Sequence, residues 1–423
     1  MSTRTITVSA IQPIAHDRDG FAERWPSLLA RVTAAADNGA RLIVVPEGTV
    51  PGYVIGTEPV DPQVRASALN DVIRVAAGSG ATIVYGTARV GEQGLANSAY
   101  VVTADGVRGF ADKCFLWHFD RRWFSAGAAL EPIDTPVGRL GVFICADGRL
   151  PTIGASLAAQ GAEILVVPTA WVTSGRDPAQ LENIQADLFA PVRARENGLP
   201  MVVANKAGVE ARSVLYCGKS QIIDANGSVL VKAGQHDETT ITAEVAIGAA
   251  AARGPVHSVE RGNGAPLPAV TRIAFTARKD ARLEELASLA DASLVIDGER
   301  HGASSDLVFA DDDAMTDPRA LVEPRLEGAR IVVWKAGIED AWVAPFARTR
   351  AAELRCYVVV LAANGSRAFA VDPDGIILAG TAGEFIMPAF SYDRARTETW
   401  TVAPFTNVRD GLERVAAITA SRA

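Results

Sequence analysis

The chain has 423 residues, 48% of them hydrophobic and 21% charged, with a formal net charge of −8; that is enough apolar material for a sizeable core and for two or three domains. No Lys/Arg-rich run offsets the acidic balance, which argues against nucleic acid or an anionic membrane surface as a partner. No uninterrupted apolar run is long enough to span a bilayer, and the N-terminus reads as the start of a strand, not a signal peptide, so a cytoplasmic protein is expected.

Residues 5–11 alternate as a strand, and 21–38 carry Trp25, Leu28, Leu29, Val32, Ala35 and Ala36 at helical spacing before Gly39. The apolar run Leu42-Ile43-Val44-Val45 then meets Pro46-Glu47-Gly48, which puts a carboxylate at the mouth of a strand. Alone, Glu47 reads as a solvated loop residue. A second helix over 64–77 precedes three strands over 82–87, 98–102 and 107–113, whose short glycine-containing connections predict antiparallel hairpins. Lys113 closes the third, a place where lysines commonly snorkel. The stretch from Trp117 to Phe124 is too aromatic for an ordinary solvated loop and suits the roof of a pocket. Trp117, Trp123 and, further on, Trp171 are candidates to line it, and equally candidates for the core.

Residues 139–144 form an apolar strand that ends in Cys145-Ala146-Asp147-Gly148, and Pro151 opens a helix carrying Ile153, Leu157 and Ala158. Cys145 therefore stands at a strand end facing a helix N-terminus, where the dipole and free N–H groups favour a thiolate. The commoner fate of a lone cysteine in an apolar run is burial in the core. The four cysteines, Cys114, Cys145, Cys217 and Cys356, make no C-x-x-C pair and only five histidines are present, so neither a metal site nor a disulfide framework is expected. Beyond Cys145 come a strand over 164–169, a helix over 181–197, a strand over 201–205 and a strand over 218–227 that ends in a turn. Strands alternating with helices and mixed with hairpins imply a two-sheet α/β layer arrangement.

Glu47, Lys113 and Cys145 share one placement, the end of an apolar strand, and that brings them to one rim of the fold. The combination has a chemistry. A thiolate attacks a carbonyl or nitrile carbon, a carboxylate takes the thiol proton and returns one to the leaving amine, and an ammonium stabilises the oxyanion, joined by the backbone N–H of Ala146.

In this order and spacing, Pro46-Glu47, the Lys113 strand, Cys145-Ala146-Asp147-Gly148-Arg149-Leu150-Pro151, Arg193-Ala194-Arg195-Glu196-Asn197-Gly198, Asn205-Lys206-Ala207-Gly208 and Gly218 to Asp224 resemble the carbon–nitrogen hydrolase (nitrilase) superfamily over roughly residues 5–250. The resemblance implies a four-layer αββα sandwich, no metal or organic cofactor, a covalent thioester intermediate and subunits that pair across helical faces. Cys145-Ala146-Asp147 is similar to the amidase and carbamoylase branch, whereas nitrilases typically carry Cys-Trp-Glu. Many members hold a second pocket glutamate; here Asp120 stands in that place, a shorter carboxylate and a departure, as is Thr152 where relatives often have Glu. Arg121, Arg122 and Arg149 offer bidentate pairing to a substrate carboxylate, against the commoner alternative of surface ion pairs. Strand alternation turns Cys114 away from Lys113.

Residues 251–268, rich in Ala, Gly, Pro and Arg, read as a linker, which makes 1–250 the catalytic domain. Residues 269–423 echo it in order. Gly161-Ala-Glu-Ile-Leu-Val-Val recurs as Gly328-Ala-Arg-Ile-Val-Val, Phe189 to Glu196 as Phe346 to Glu353, Met201 to Asn205 as Val358 to Asn364, and the turn Asp224-Ala-Asn-Gly as Asp372-Pro-Asp-Gly. Such self-similarity marks a shorter, degenerate repeat of the same fold. Val142-Phe-Ile-Cys145 is mirrored by Val308-Phe-Ala-Asp311, and the segment for a lysine strand is missing, so the repeat lacks the catalytic residues. The expectation is one active and one inactive unit, as a monomeric pseudo-dimer or a homo-oligomer.

Together these readings predict a cysteine-dependent hydrolase of amide or N-carbamoyl C–N bonds acting on a small molecule. Glu47, Lys113 and Cys145 are its triad, Asp120 an auxiliary carboxylate, and Trp117, Trp123, Arg149 and Trp171 its substrate contacts. A nitrilase, an acyltransferase using the same thioester, and a catalytically silent two-copy binding or scaffold protein are the alternatives.

Overall fold

The computed structural model describes residues 4–173, 179–252, 254–277, 282–298, 303–365, 367–381 and 388–420. The chain forms two compact units, one of Met1–Arg253, Ala403–Thr406 and Glu413–Ala423, the other of Gly254–Val402 and Asn407–Leu412. Residues 403–406 and 413–423, read from the sequence as part of the repeat, thus belong with the first unit, where Thr406 Oγ1 accepts from the His118 N–H (2.7 Å).

In chain order the first unit contains β1 (Arg4–Gln12), α1 (Phe21–Asp37), β2 (Leu42–Val44), α2 (Pro62–Ser79), β3 (Thr82–Gly91), β4 (Gly94–Thr103), β5 (Gly106–Asp112), β6 (Ile133–Thr135), β7 (Gly138–Val142), α3 (Pro151–Ala159), β8 (Ile164–Pro168), α4 (Ala190–Asn197), β9 (Met201–Ala204), β10 (Ala207–Glu210), β11 (Val214–Cys217), β12 (Gln221–Ile223), β13 (Val229–Lys232) and β14 (Thr239–Ile247). They make two six-stranded sheets, β14-β1-β2-β3-β4-β5 and β13-β12-β9-β8-β7-β6, and a β10-β11 hairpin. The runs apolar on both faces, β2, β8 and β9, are buried throughout and occupy the parallel centres of the sheets. Residues free to alternate take the antiparallel margins. The sheets face one another through β1, β2, β3, β8 and β9. Leu28, Val32, Ala68 and Val72 of α1 and α2 bury against Ile43, Ile83 and Tyr85 of the first sheet, while α3 and α4 pack on β7 and β12 of the second. The result is an αββα sandwich.

The helix expected over 181–197 is regular only from Ala190; Gln185–Phe189 is a π turn. Pro191 has no N–H to give the carbonyl four residues back, and a wider turn takes up the slack.

The second unit contains β15 (Glu260–Arg261), β16 (Val270–Phe275), α5 (Leu283–Leu289), β17 (Leu294–Ile296), β18 (Leu307–Ala310), α6 (Asp312–Thr316), α7 (Val322–Leu326), β19 (Ile331–Ala336), α8 (Asp340–Leu354), β20 (Tyr357–Ala362), β21 (Ala368–Val371), β22 (Ile377–Thr381) and β23 (Ala389–Asp393). Its sheets run β15-β18-β19-β20-β21-β22 and β17-β16-β23. The stretch read as a linker carries β15, antiparallel to β18, and buried Leu267, whose N–H donates to Asp306 (2.8 Å).

Strand order and direction follow those of the first unit. β18, β19 and β20 are parallel, then β21 and β22 antiparallel, as are β7, β8, β9, β12 and β13. The final hairpin has a bulge at Ile222/Ile223 in one unit and at Ala370/Val371 in the other. Asp224 Oδ1 accepts from the N–H groups of Asn226 and Ser228, and Asp372 Oδ1 from those of Asp374 and Ile376. The buried guanidinium of Arg193 bonds Glu196 and the Gly148 carbonyl, and that of Arg350 bonds Glu353 and the Met315 carbonyl. Register corrects one correspondence. Ile164 pairs with Leu140 and its echo Ile331 with Leu307, so the position five residues on from each strand residue is Cys145 in one unit and Asp312, not Asp311, in the other.

Removing one partner of a buried ion pair leaves an uncompensated charge, so Glu196→Ala is expected to destabilise the chain by about 3–5 kcal/mol, read as a clear fall in melting temperature, whereas exposed Glu244→Ala is expected to change it little.

Candidate active site

Glu47 follows β2 and is fully buried. The chain holds it there by backbone bonding to β3: Val45 N–H to Val84 O (2.8 Å), Gly86 N–H to Pro46 O (3.1 Å), and the Thr49 and Val50 N–H groups to Gly86 O (3.1 Å each). So close is this approach that a Cβ on Gly86 would lie 2.5 Å from Glu47 Cα; only glycine fits.

Lys113 stands one residue past β5, its N–H on Asn97 O (2.8 Å), and its side chain is fully buried. Its ammonium bridges two carboxylates, Glu47 Oε1 at 2.7 Å and Asp120 Oδ2 at 2.6 Å. Asn97 Nδ2 also donates to Glu47 Oε1 (2.6 Å), and the Trp117 N–H donates to Asp120 Oδ2 (3.0 Å). Burial works against charge on Lys113, but Asp120 and Glu47 outweigh it and hold the ammonium well above its usual range. Each carboxylate keeps one oxygen in reserve: Glu47 Oε2 and Asp120 Oδ1 are buried with no hydrogen-bond partner among the described residues.

Cys145 opens a 3-10 turn between β7 and α3 with φ +50°, a left-handed conformation that is strained for a side chain of its size. It is 5% exposed. Burial, with Glu47 behind it, pushes the thiol upward, and Lys113, the Thr169 side chain and the Ala170 backbone offset only part of this. The shift runs opposite to the one the helix N-terminus suggests in the sequence, because burial disfavours the charged form. Asp147 ties this turn to the lysine strand. Its Oδ1 accepts from the Cys114 and Phe115 N–H groups (3.0 and 2.7 Å) and its Oδ2 from Ile144 N–H (2.9 Å). Burial pushes its carboxyl up to about 7 against the pull of those donors.

Ala146 is fully buried beside Cys145. Half-buried Trp117 stacks with the Arg149 guanidinium (4.9 Å), which also approaches Phe189 (5.9 Å). Arg121 and Arg122 are exposed. Trp171 is buried, its N–H on Asn205 Oδ1 (2.8 Å). Gln185, with its amide turned to satisfy both neighbours, donates to Cys145 O (2.9 Å) and accepts from Trp171 Nε1 (3.2 Å). Trp123 instead packs in an apolar cluster with Ile55, Val60, Leu116 and Phe124, touching Phe119 (5.3 Å). Phe119 in turn meets Tyr53 (5.4 Å), over whose ring Lys113 Nζ lies at 5.7 Å. Burial, Asp120, Glu47 and Cys145 all raise the Tyr53 phenol, which marks it as a wall of the site. Sequence reasoning missed Tyr53, Asn97 and Gln185. Asn97-Ser98 inside the apolar run of β4 is the one signal on offer, since a polar residue there needs a partner.

Among the described residues no cluster of three His, Cys, Asp or Glu side chains is placed to hold a metal ion, and no helix is long and apolar enough to cross a membrane.

Residues 5–253 match the family model for carbon–nitrogen hydrolases. The chain is 28% identical over 239 residues to an (R)-stereoselective amidase of Pseudomonas sp, covering 54% of this chain and 81% of the amidase. To a nitrilase of Pyrococcus abyssi it is 30% identical over 220 residues, covering 51% and 80%. Among solved structures, an amidase from Nesterenkonia sp. matches with TM-score 0.51 at 22% identity over 57% of this chain and 90% of that one. A carbon-nitrogen hydrolase from Helicobacter pylori G27 gives 0.51 at 23% identity over 57% and 89%. At these identities the structural likeness speaks for the fold.

Two outcomes are expected. Gly86→Ala forces the Glu47 backbone to shift, costing roughly 1–3 kcal/mol as overpacking does and most of any hydrolytic activity; thermal melts and ammonia release check both. Because the Cys145 thiol is shifted upward, its alkylation by iodoacetamide, followed by peptide mass spectrometry, is expected to accelerate steadily from pH 7 to 9; a rate already level below pH 7 would mean a pre-formed thiolate.

Proposed function

Because the chain belongs to the carbon–nitrogen hydrolase family, we propose that its first unit hydrolyses the C–N bond of a small substrate ending in an unsubstituted –NH2 group, a primary amide or an N-carbamoyl compound, through a Cys145 thioester. The observation that carries this reading is the pair of buried acceptors without partners, Glu47 Oε2 and Asp120 Oδ1, flanking one ammonium. An –NH2 group brings two N–H donors, one for each oxygen. A nitrile brings none, and leaving buried acceptors unpaired penalises it.

In this reading Glu47 takes the proton of Cys145 as sulfur attacks the carbonyl carbon. The developing oxyanion meets Lys113 Nζ and the Ala146 N–H. Glu47 returns the proton to nitrogen, ammonia leaves, and a thioester remains. Water, deprotonated by Glu47, attacks the thioester, and collapse gives the acid and restores the thiol. Asp120 holds Lys113 charged and orients the substrate –NH2. Trp117, Arg149 and Trp171 line the approach, while Trp123 supports the roof. The chemistry needs no cofactor.

We also propose that the second unit is a shortened copy of the first. Parallel strand order, the shared bulge and the shared aspartate turn support this, and with an aspartate at the nucleophile's place it is inert in hydrolysis.

The test follows ammonia release from matched primary amide, N-carbamoyl and nitrile substrates and methylamine release from the matched N-methylamide, whose cleavage yields no ammonia. Primary amide or carbamoyl turnover is expected, with N-methylamide and nitrile slower by at least ~10²-fold, since one or both acceptors stay unpaired. Cys145→Ala and Glu47→Gln are expected to lose ~10³-fold or more and Asp120→Asn about 10²-fold, whereas Asp312→Ala leaves the rate unchanged. Faster nitrile turnover, or activity surviving Cys145→Ala, overturns the reading.

A further inference from the structure

Behind the Glu47 loop lies a second buried polar cluster that the hydrolytic steps do not touch. Lys206, Glu210 and Tyr216 are each 0–1% exposed. Glu210 Oε1 accepts from the Tyr53 and Val54 N–H groups, both at 2.7 Å, and its Oε2 accepts from the Tyr216 hydroxyl at 2.7 Å and Lys206 Nζ at 3.2 Å. Lys206 Nζ donates in turn to Gly48 O at 2.9 Å and sits over the rings of Tyr216 (5.2 Å) and Tyr53 (5.8 Å). The β10-β11 hairpin thereby grips the loop at two points, the carbonyl of the residue after Glu47 and the N–H groups of Tyr53 and Val54. Between them Thr49 and Val50 hang on Gly86 O.

Apolar residues of similar volume often fill such a place with no loss of stability, yet here a charged pair spends its contacts on one loop. That loop carries Glu47 and Tyr53, the base and a wall of the proposed site. We propose that Lys206 and Glu210 are positioning residues, fixing the Glu47 carboxylate and the Tyr53 ring against Cys145. The inference rests on Glu47 being the base. A displacement of about 1 Å at such a group costs ~10²-fold in rate, and a loop freed at Gly48 is displaced at the residue adjoining the base.

The experiment uses the full chain and the amide substrate of the ammonia assay. Lys206→Met and Glu210→Gln are each expected to lower kcat by ~10- to 100-fold with KM within about threefold, because the substrate's own partners are untouched. Lys206→Arg, which keeps a donor for Gly48 O and a charge for Glu210, is expected to regain most of kcat. Either single change leaves a buried group mispaired and lowers the melting temperature. The double variant Lys206→Met/Glu210→Gln removes both charges, so its melting temperature is expected to recover while kcat stays low, since Gly48 O still lacks its donor. Recovery of kcat in step with the melting temperature, or single variants that melt early but turn over normally, overturns the proposal in favour of a purely structural role. If a single variant fails to fold, the double variant carries the test. Glu47→Gln run in parallel separates the two failures: activity retained there removes the base assignment, whereas normal turnover in Lys206→Met beside an inactive Glu47→Gln removes the positioning role alone.

Discussion

One ammonium held between two carboxylates in a buried interior is the constraint on which the first unit turns. Lys113 is fully buried, and its charge survives because Glu47 and Asp120 stand 2.7 and 2.6 Å away. Isolated, such a charge costs several kcal/mol; paired and hydrogen-bonded it is tolerated. The two carboxylates therefore keep Lys113 charged, the three groups fix one another's position, and the fold must deliver them together from β2, β5 and the turn after it.

Delivery depends on backbone, not on long side chains. The bare Cα of Gly86 lets the Glu47 peptide rest against β3, and Asp147 links the end of the lysine strand to the cysteine turn through three N–H groups. Cys145 pays for its place in strain, at φ +50°, a distortion that persists when its surroundings over-determine it. Gln185 on the π turn reaches its carbonyl, so the irregularity before α4 also supports the Cys145 turn.

Much of this was legible beforehand. Glu47, Lys113 and Cys145 each terminate an apolar run, and strand ends gather at one rim. The αββα layers follow from continuous apolar runs in sheet centres and alternating ones at hairpins. What resisted reading was whatever depends on partners distant in sequence. Tyr53 and Glu210 are 157 residues apart yet bonded, and no local pattern announces it. The direction of the Cys145 shift escaped the sequence because a helix N-terminus can be read there and the depth of burial cannot. Letters set Asp311 against Cys145 and strand register sets Asp312 there, because matching letters ignores register. Trp123 went to a side cluster because aromatic content alone does not say which face of a roof a ring occupies.

The two unpartnered carboxylate oxygens have a meaning beyond chemistry. A buried acceptor with nothing to accept is a defect in folding terms, so the interior of the first unit is kept less comfortable than its composition allows. Any compound that supplies the missing donors, including one too inert to react, relieves that discomfort, and binding and folding then draw on the same free energy.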